Sequence, residues 1–138
     1  MKTPIRVLMA AVAMACAPAM MAQTINDPVA EIRAMKPAEF DAYMAAIAQQ
    51  TTAAAPIQAD AVTTVTRAIY MPQMKTLNYM VQLSQAIAPQ AAAQSFKAGL
   101  CKGRSVLANM DRGVTYQYSV TTPAQSYNVT FKRADCQS

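Results

Sequence analysis

Three stretches of strict two-residue alternation constrain this chain more than any other feature. Leu77, Tyr79, Val81 and Leu83 alternate with Asn78, Met80 and Gln82. Val114, Tyr116, Tyr118 and Val120 alternate with Thr115, Gln117 and Ser119, and Tyr127, Val129 and Phe131 with Asn128, Thr130 and Lys132. A period of two describes a strand with one buried and one wet face. The β-branched run Ala61-Val62-Thr63-Thr64-Val65-Thr66 adds another strand, continuing toward Tyr70. Met71-Pro72-Gln73-Met74 and Thr122-Pro123-Ala124-Gln125 are turn-like connections, so the strands read as two antiparallel hairpins.

Helical signals fill the gaps. Asn26-Asp27-Pro28 is a capped helix start with proline in the first turn, for a helix to about Met35. Pro37 opens a second helix, in which Phe40, Tyr43, Met44 and Ile47 recur at helical spacing until residues 51–56 end it. Pro89 starts a third, with Ala92 and Phe96 on one face and Gly99 placed to end it. A fourth, short helix passes through Ser105, Val106, Leu107 and Met110 and closes at Gly113. The expected fold is α+β: a two-layer domain with an antiparallel sheet of about four strands in two hairpins and helices packed on one face.

Residues 1–22 read as a secretory signal. Lys2 and Arg6 precede the apolar run 7–15, Pro18 interrupts it, and cleavage is expected after Ala22. The run is too short for a bilayer core of roughly 30 Å, so no membrane span is expected. The remaining 23–138 is one domain by length. Cys16 leaves a second option open, since Ala13-Met14-Ala15 before it partly fits a lipoprotein signal. Beyond the signal, the cysteines are Cys101 and Cys136, an even count in an oxidising compartment, and a disulfide is expected. Closing such a loop stabilises the fold by about 4 kcal/mol in the chain-entropy treatment.

The absences narrow the chemistry. The chain has no histidine, which removes Ser-His-Asp and Cys-His catalysis and imidazole metal sites. A segment resembling a phosphate-binding loop, Gly99 to Ser105, has the wrong glycine spacing and arginine in place of lysine. Met71, Met74 and Met80 invite a copper reading, but methionine is a generic packing residue. Seven acidic residues leave a carboxylate pair possible, with Asp111 and Asp135 as candidates. Tyr116 and Tyr118 belong to the face to be buried, which argues against base stacking and a nucleic-acid partner. Asn128-Val129-Thr130 matches a glycosylation acceptor, which the bacterial type of signal makes a chance match. No catalytic residue, cofactor or metal is assigned.

Charge is lopsided. Residues 23–66 hold two basic and five acidic residues, whereas residues 67–138 hold eight basic and two acidic. The open sheet face, with Gln117, Asn128, Thr130, Lys132 and Arg133, is therefore the expected binding surface. The expected partner is another envelope or secreted protein, acidic by preference.

The series Cys101, Leu107, Gly113-Val114, Tyr116-Gln117-Tyr118 and Cys136 resembles a family of small exported bacterial proteins, the quorum-sensing-regulated virulence factors. Ala61 to Leu83, with Thr66 and Tyr79, extends the resemblance. It implies secretion and an α+β fold and brings no catalytic residues. The leading functional expectation is an exported, non-enzymatic binding module of a bacterial envelope, virulence or secretion system. The alternatives are an outer-membrane lipoprotein inhibitor or immunity protein anchored through Cys16, and a carboxylate-dependent envelope hydrolase.

Overall fold

A computed structural model describes residues 27–137 of the chain. The expected signal segment 1–22 and Cys16 lie outside the described residues. The elements run α1 (Pro28–Ala34), α2 (Pro37–Ala54), β1 (Ile57–Gln58), β2 (Thr63–Met71), β3 (Thr76–Leu83), α3 (Pro89–Leu100), α4 (Arg104–Asp111), β4 (Thr115–Thr121), β5 (Ser126–Phe131) and a 3-10 turn (Arg133–Cys136). The Asp27 side chain accepts from the Val29 N–H at 3.0 Å, giving α1 the start its sequence signals. Gly113, at φ +96, ends α4 as expected.

The fold is α+β, with helices packed against a five-stranded sheet in the order β1-β2-β3-β4-β5. Both expected hairpins form, β2 with β3 and β4 with β5. They join differently from the all-antiparallel expectation: β3 and β4 run parallel. The cause is the crossover through α3 and α4, which carries the chain back so that β4 starts at the same end as β3. The fifth strand, β1, is two residues long and follows the cis bond before Pro56.

Register aligns the alternating residues into transverse rows. On the inner face these are Val65-Val81-Val120-Tyr127, Ala68-Tyr79-Tyr118-Val129 and Tyr70-Leu77-Tyr116-Phe131. All twelve belong to the apolar core or pack against it. On the opposite face the rows are Thr64-Gln82-Thr121-Ser126, Arg67-Met80-Ser119-Asn128 and Ile69-Asn78-Gln117-Thr130. One irregularity makes this segregation possible. A bulge between Val65 and Arg67 lets Val65 and Ala68 both face inward, whereas unbroken alternation would drive Arg67 into the core.

The helices divide the inner face. Phe40, Met44 and Ala48 of α2 cluster with Ala68, Tyr70 and Leu77. Val29 and Ile32 of α1 and Ala108 and Met110 of α4 complete that cluster. Ala92 of α3 packs in a second cluster with Val81, Leu83 and Val120. Arg112 ties the two ends of the domain together. Its Nη1 donates to the carbonyls of Ile32 at 2.7 Å and Met35 at 2.6 Å, and its guanidinium lies 4.4 Å from the Phe40 ring centroid. Cys101 and Cys136 are bonded, with Cα atoms 5.4 Å apart, which fastens the end of α3 to the C-terminal turn.

Candidate functional site

Between the two apolar clusters the helices leave part of the sheet uncovered. The result is an open groove of about 420 Å³. Its floor is Val65, Val81, Tyr79 and Tyr118, from two adjacent inner rows. Ser95, Phe96, Gly99 and Leu100 of α3 form one wall, continued by Val106 of α4, and Ala59, Asp60 and Thr63 form the opposite lip. Tyr79, Phe96 and Tyr118 border both clusters. Phe96 stacks on Tyr118 with centroids 4.6 Å apart, and Tyr118 stacks on Tyr79 at 5.5 Å. The floor is thus a rigid aromatic surface.

Its titratable groups are phenols and one carboxylate. Burial, with the neighbouring Tyr43 adding to it, raises the Tyr79 hydroxyl above the ordinary phenol range. Burial also raises Tyr116 and Tyr118, so all three stay protonated at neutral pH. The groove lining includes one carboxylate, Asp60, which is occupied by its own turn. It accepts from the Val62 N–H at 2.8 Å and the Thr63 N–H at 2.9 Å, and these bonds hold its pKa below the usual carboxylate value. Hydrolysis by a carboxylate pair needs a second acid facing the first, and the lining does not supply one.

Gly99 lies differently from the sequence reading. It sits inside the last turn of α3, which continues through Leu100, and so does not end the helix. No heavy atom lies within 4 Å of the place its Cβ would take. Glycine weakens a helix by up to about 1 kcal/mol relative to alanine, and here no internal contact requires it. What its missing side chain provides is clearance along the groove wall.

The residues expected to bind lie on the other side of the sheet. Gln117 and Thr130 share one outer row, and Asn128 lies in the next. Asn128, Thr130 and Lys132 are exposed and Gln117 is half-buried. Arg133 is not on the strand: it belongs to the 3-10 turn, where its Nε donates to Asp111 at 2.9 Å. Asp135 accepts from the Lys132 N–H at 2.7 Å, so both acids considered for hydrolysis have structural partners. Met71 and Met80 fall in different outer rows, about 14 Å apart at 3.4 Å per residue along β3. Met74 sits exposed in the turn. Among the described residues no group of three His, Cys, Asp or Glu side chains is placed to hold a metal. The sequence reading did not find the groove; the single signal for it was a glycine inside a helical pattern.

No family model matches the chain, and no curated protein matches it by sequence. Solved structures do. The pilotin EpsS of the Vibrio vulnificus type 2 secretion system superposes with a TM-score of 0.63 at 17% identity, covering 71% of this chain and 92% of that one. The type II secretion system pilotin AspS of Vibrio cholerae gives 0.59 at 16% identity, covering 70% and 91%. A Pseudomonas aeruginosa protein described as a putative secreted protein gives 0.58 at 14% identity, covering 75% and 98%. At these identities the likeness is one of fold.

Proposed function

We propose that this chain is a non-enzymatic binding module of a bacterial envelope secretion system, and that its groove takes the apolar side of an amphipathic helix from a protein of that system. The observation that carries the reading is the groove itself. It is an aromatic floor left open by the domain's own helices, with polar groups at its lips and a wall thinned at Gly99. Helix-in-groove recognition asks for this combination, an apolar channel that receives side chains spaced three and four residues apart. Two structures of the same fold are pilotins of type 2 secretion systems, which supports a partner from that machinery. The third is described as secreted, which supports export, and the bonded Cys101–Cys136 pair supports the resemblance to quorum-sensing-regulated virulence factors.

The open sheet face offers a second, polar contact area. Its outer rows carry Arg67 and no carboxylate, and Lys132 extends β5, which suits an acidic partner surface. Anchoring is a separate matter. The mature N-terminus, Gln23 or a lipidated Cys16, distinguishes a free periplasmic or secreted protein from an outer-membrane lipoprotein, and mass spectrometry reads it directly. Among the described residues no helix is long and apolar enough to cross a membrane.

A photoreactive amino acid at Ser95, exposed on the groove wall, tests the proposal in living cells. The expected adduct maps to a segment of a secretion-system protein with apolar residues at helical spacing. Adducts only to charged or extended segments, or a yield no greater than from a probe at the exposed turn residue Gln73, contradict it.

A further inference from the structure

The two edges of the sheet are treated very differently. At one edge, β1 pairs with Thr64 and Val65. Beyond the bulge, Thr52 of α2 takes over: its Oγ1 donates to the Ala68 carbonyl at 2.9 Å and accepts from the Ala68 N–H at 3.0 Å. The other edge is β5, Ser-Tyr-Asn-Val-Thr-Phe, with no charge, no proline and no shift of register against β4. None of the usual devices that blunt an exposed edge is present within this strand.

The register fixes which backbone groups are open. The Thr122 N–H donates to the Gln125 carbonyl at 2.8 Å, so this pair closes the hairpin. Alternation then gives the bonds to β4 to Tyr127, Val129 and Phe131 and turns the N–H and C=O of Ser126, Asn128 and Thr130 outward. All three outward residues are exposed, and no other element among the described residues takes up their backbone groups.

We infer that two copies of this chain pair antiparallel through β5 about a two-fold axis at Asn128, giving one continuous ten-stranded sheet. The outward set is symmetric about that residue. Asn128 meets its own copy, and Ser126 meets Thr130 of the second chain on either side, which satisfies six N–H and C=O groups on each strand. On the inner face the same operation sets Tyr127 against Val129, both half-buried in the single chain. Lys132 falls opposite Ala124, so no like charges meet along the paired strands. The flank of α3 away from the groove, which the operation brings beside its copy, carries Gln90, Ala93 and Gln94, with Lys97 the one charged residue toward its C-terminal end. Because the β2 edge is closed by β1 and Thr52, the assembly stops at two chains.

The test uses the mature, oxidised protein purified from the periplasm. Sedimentation velocity should give twice the chain mass, and Asn128→Pro should reduce it to one chain that stays cooperatively folded, because the N–H lost makes no bond to β4. Asn128→Cys provides a reading independent of the proline variant. Directly opposed residues of a hydrogen-bonded pair have Cα atoms about 5.5 Å apart, within disulfide reach, so mild oxidation should give a covalent homodimer. Gln117→Cys on β4 should give none. A single-chain mass at every concentration together with no cross-link from Asn128→Cys overturns the inference. So does a cross-link from that thiol to a strand of a different protein.

Discussion

Replacing both Cys101 and Cys136 with serine removes a cross-link between residues 35 apart. The loop it closes contains α4, β4 and β5, so the freed unfolded chain gains the conformations of more than a quarter of the protein. In the chain-entropy treatment a loop of about 36 residues is worth about 13 cal/mol/K, or about 4 kcal/mol at 25 °C. For a domain of this size that corresponds to a melting temperature lower by roughly 20 °C. Urea unfolding of the mature protein and its double-serine variant measures the difference, and the variant's m-value should rise because its unfolded ensemble is more extended. The bond also fixes α3, the groove wall, so partner capture should weaken at temperatures where the variant is still folded. A loss below about 1 kcal/mol with an unchanged m-value would refute the reasoning, since it would mean that the cross-link does not restrict the unfolded chain.

Neighbouring residues on β4 should behave oppositely: Tyr118→Ala, which empties the centre of the aromatic stack, should cost about 3 kcal/mol, and Gln117→Ala within about 0.5 kcal/mol, by chemical denaturation. Equal effects would mean the faces are misassigned. Arg112→Met should cost about 2 kcal/mol, because the carbonyls of Ile32 and Met35 lose a charged donor and Phe40 its cation; a neutral result would show that water replaces the guanidinium without loss. Alkali should unfold the domain. Burial, with the bond to Asp41 second, pushes the Tyr70 hydroxyl from 10.0 to about 12, and Tyr79, Tyr116 and Tyr118 shift the same way. The stability they contribute is complete below pH 10 and is lost as pH rises through 12, because the unfolded chain releases these protons first; a melting temperature constant from pH 9 to 12 would contradict this.

Much of the fold was legible because it rests on local rules. The alternation of Leu77 to Leu83, Tyr116 to Val120 and Tyr127 to Phe131 places each inner residue correctly, since burial of one face admits a single register. Asp27 and Gly113 mark helix ends because their side chain and backbone geometry act within one turn. The parts that depend on distant contacts were not legible. Nothing near Thr66 announces the bulge that turns Arg67 outward, and the parallel pairing of β3 with β4 is decided by how α3 and α4 cross the sheet. The α2 helix ends at Ala54, within the stretch 51–56 that was expected to end it, but the bond of Thr52 to Ala68 is a contact made only in the assembled fold. The groove is a matter of what the helices fail to cover, and a single sequence does not encode that locally. Arg133, expected on the open sheet face, instead pairs with Asp111, 22 residues away in the chain.

Filling the groove while sparing the fold tests the central claim most directly. Gly99→Trp places a large side chain on the wall, where a Cβ meets nothing within 4 Å, and removes a helix-weakening glycine. The measurement is the yield of the photo-adduct formed from Ser95, compared between cells carrying the wild-type and Gly99→Trp backgrounds, with the melting temperature of each purified protein alongside. The prediction is a melting temperature equal to or above wild type and an adduct yield at least tenfold lower, on the order of the 1.4 kcal/mol that one blocked apolar contact represents. An undiminished adduct in a folded Gly99→Trp variant would show that the partner does not enter the groove, and the proposed function would fall with it.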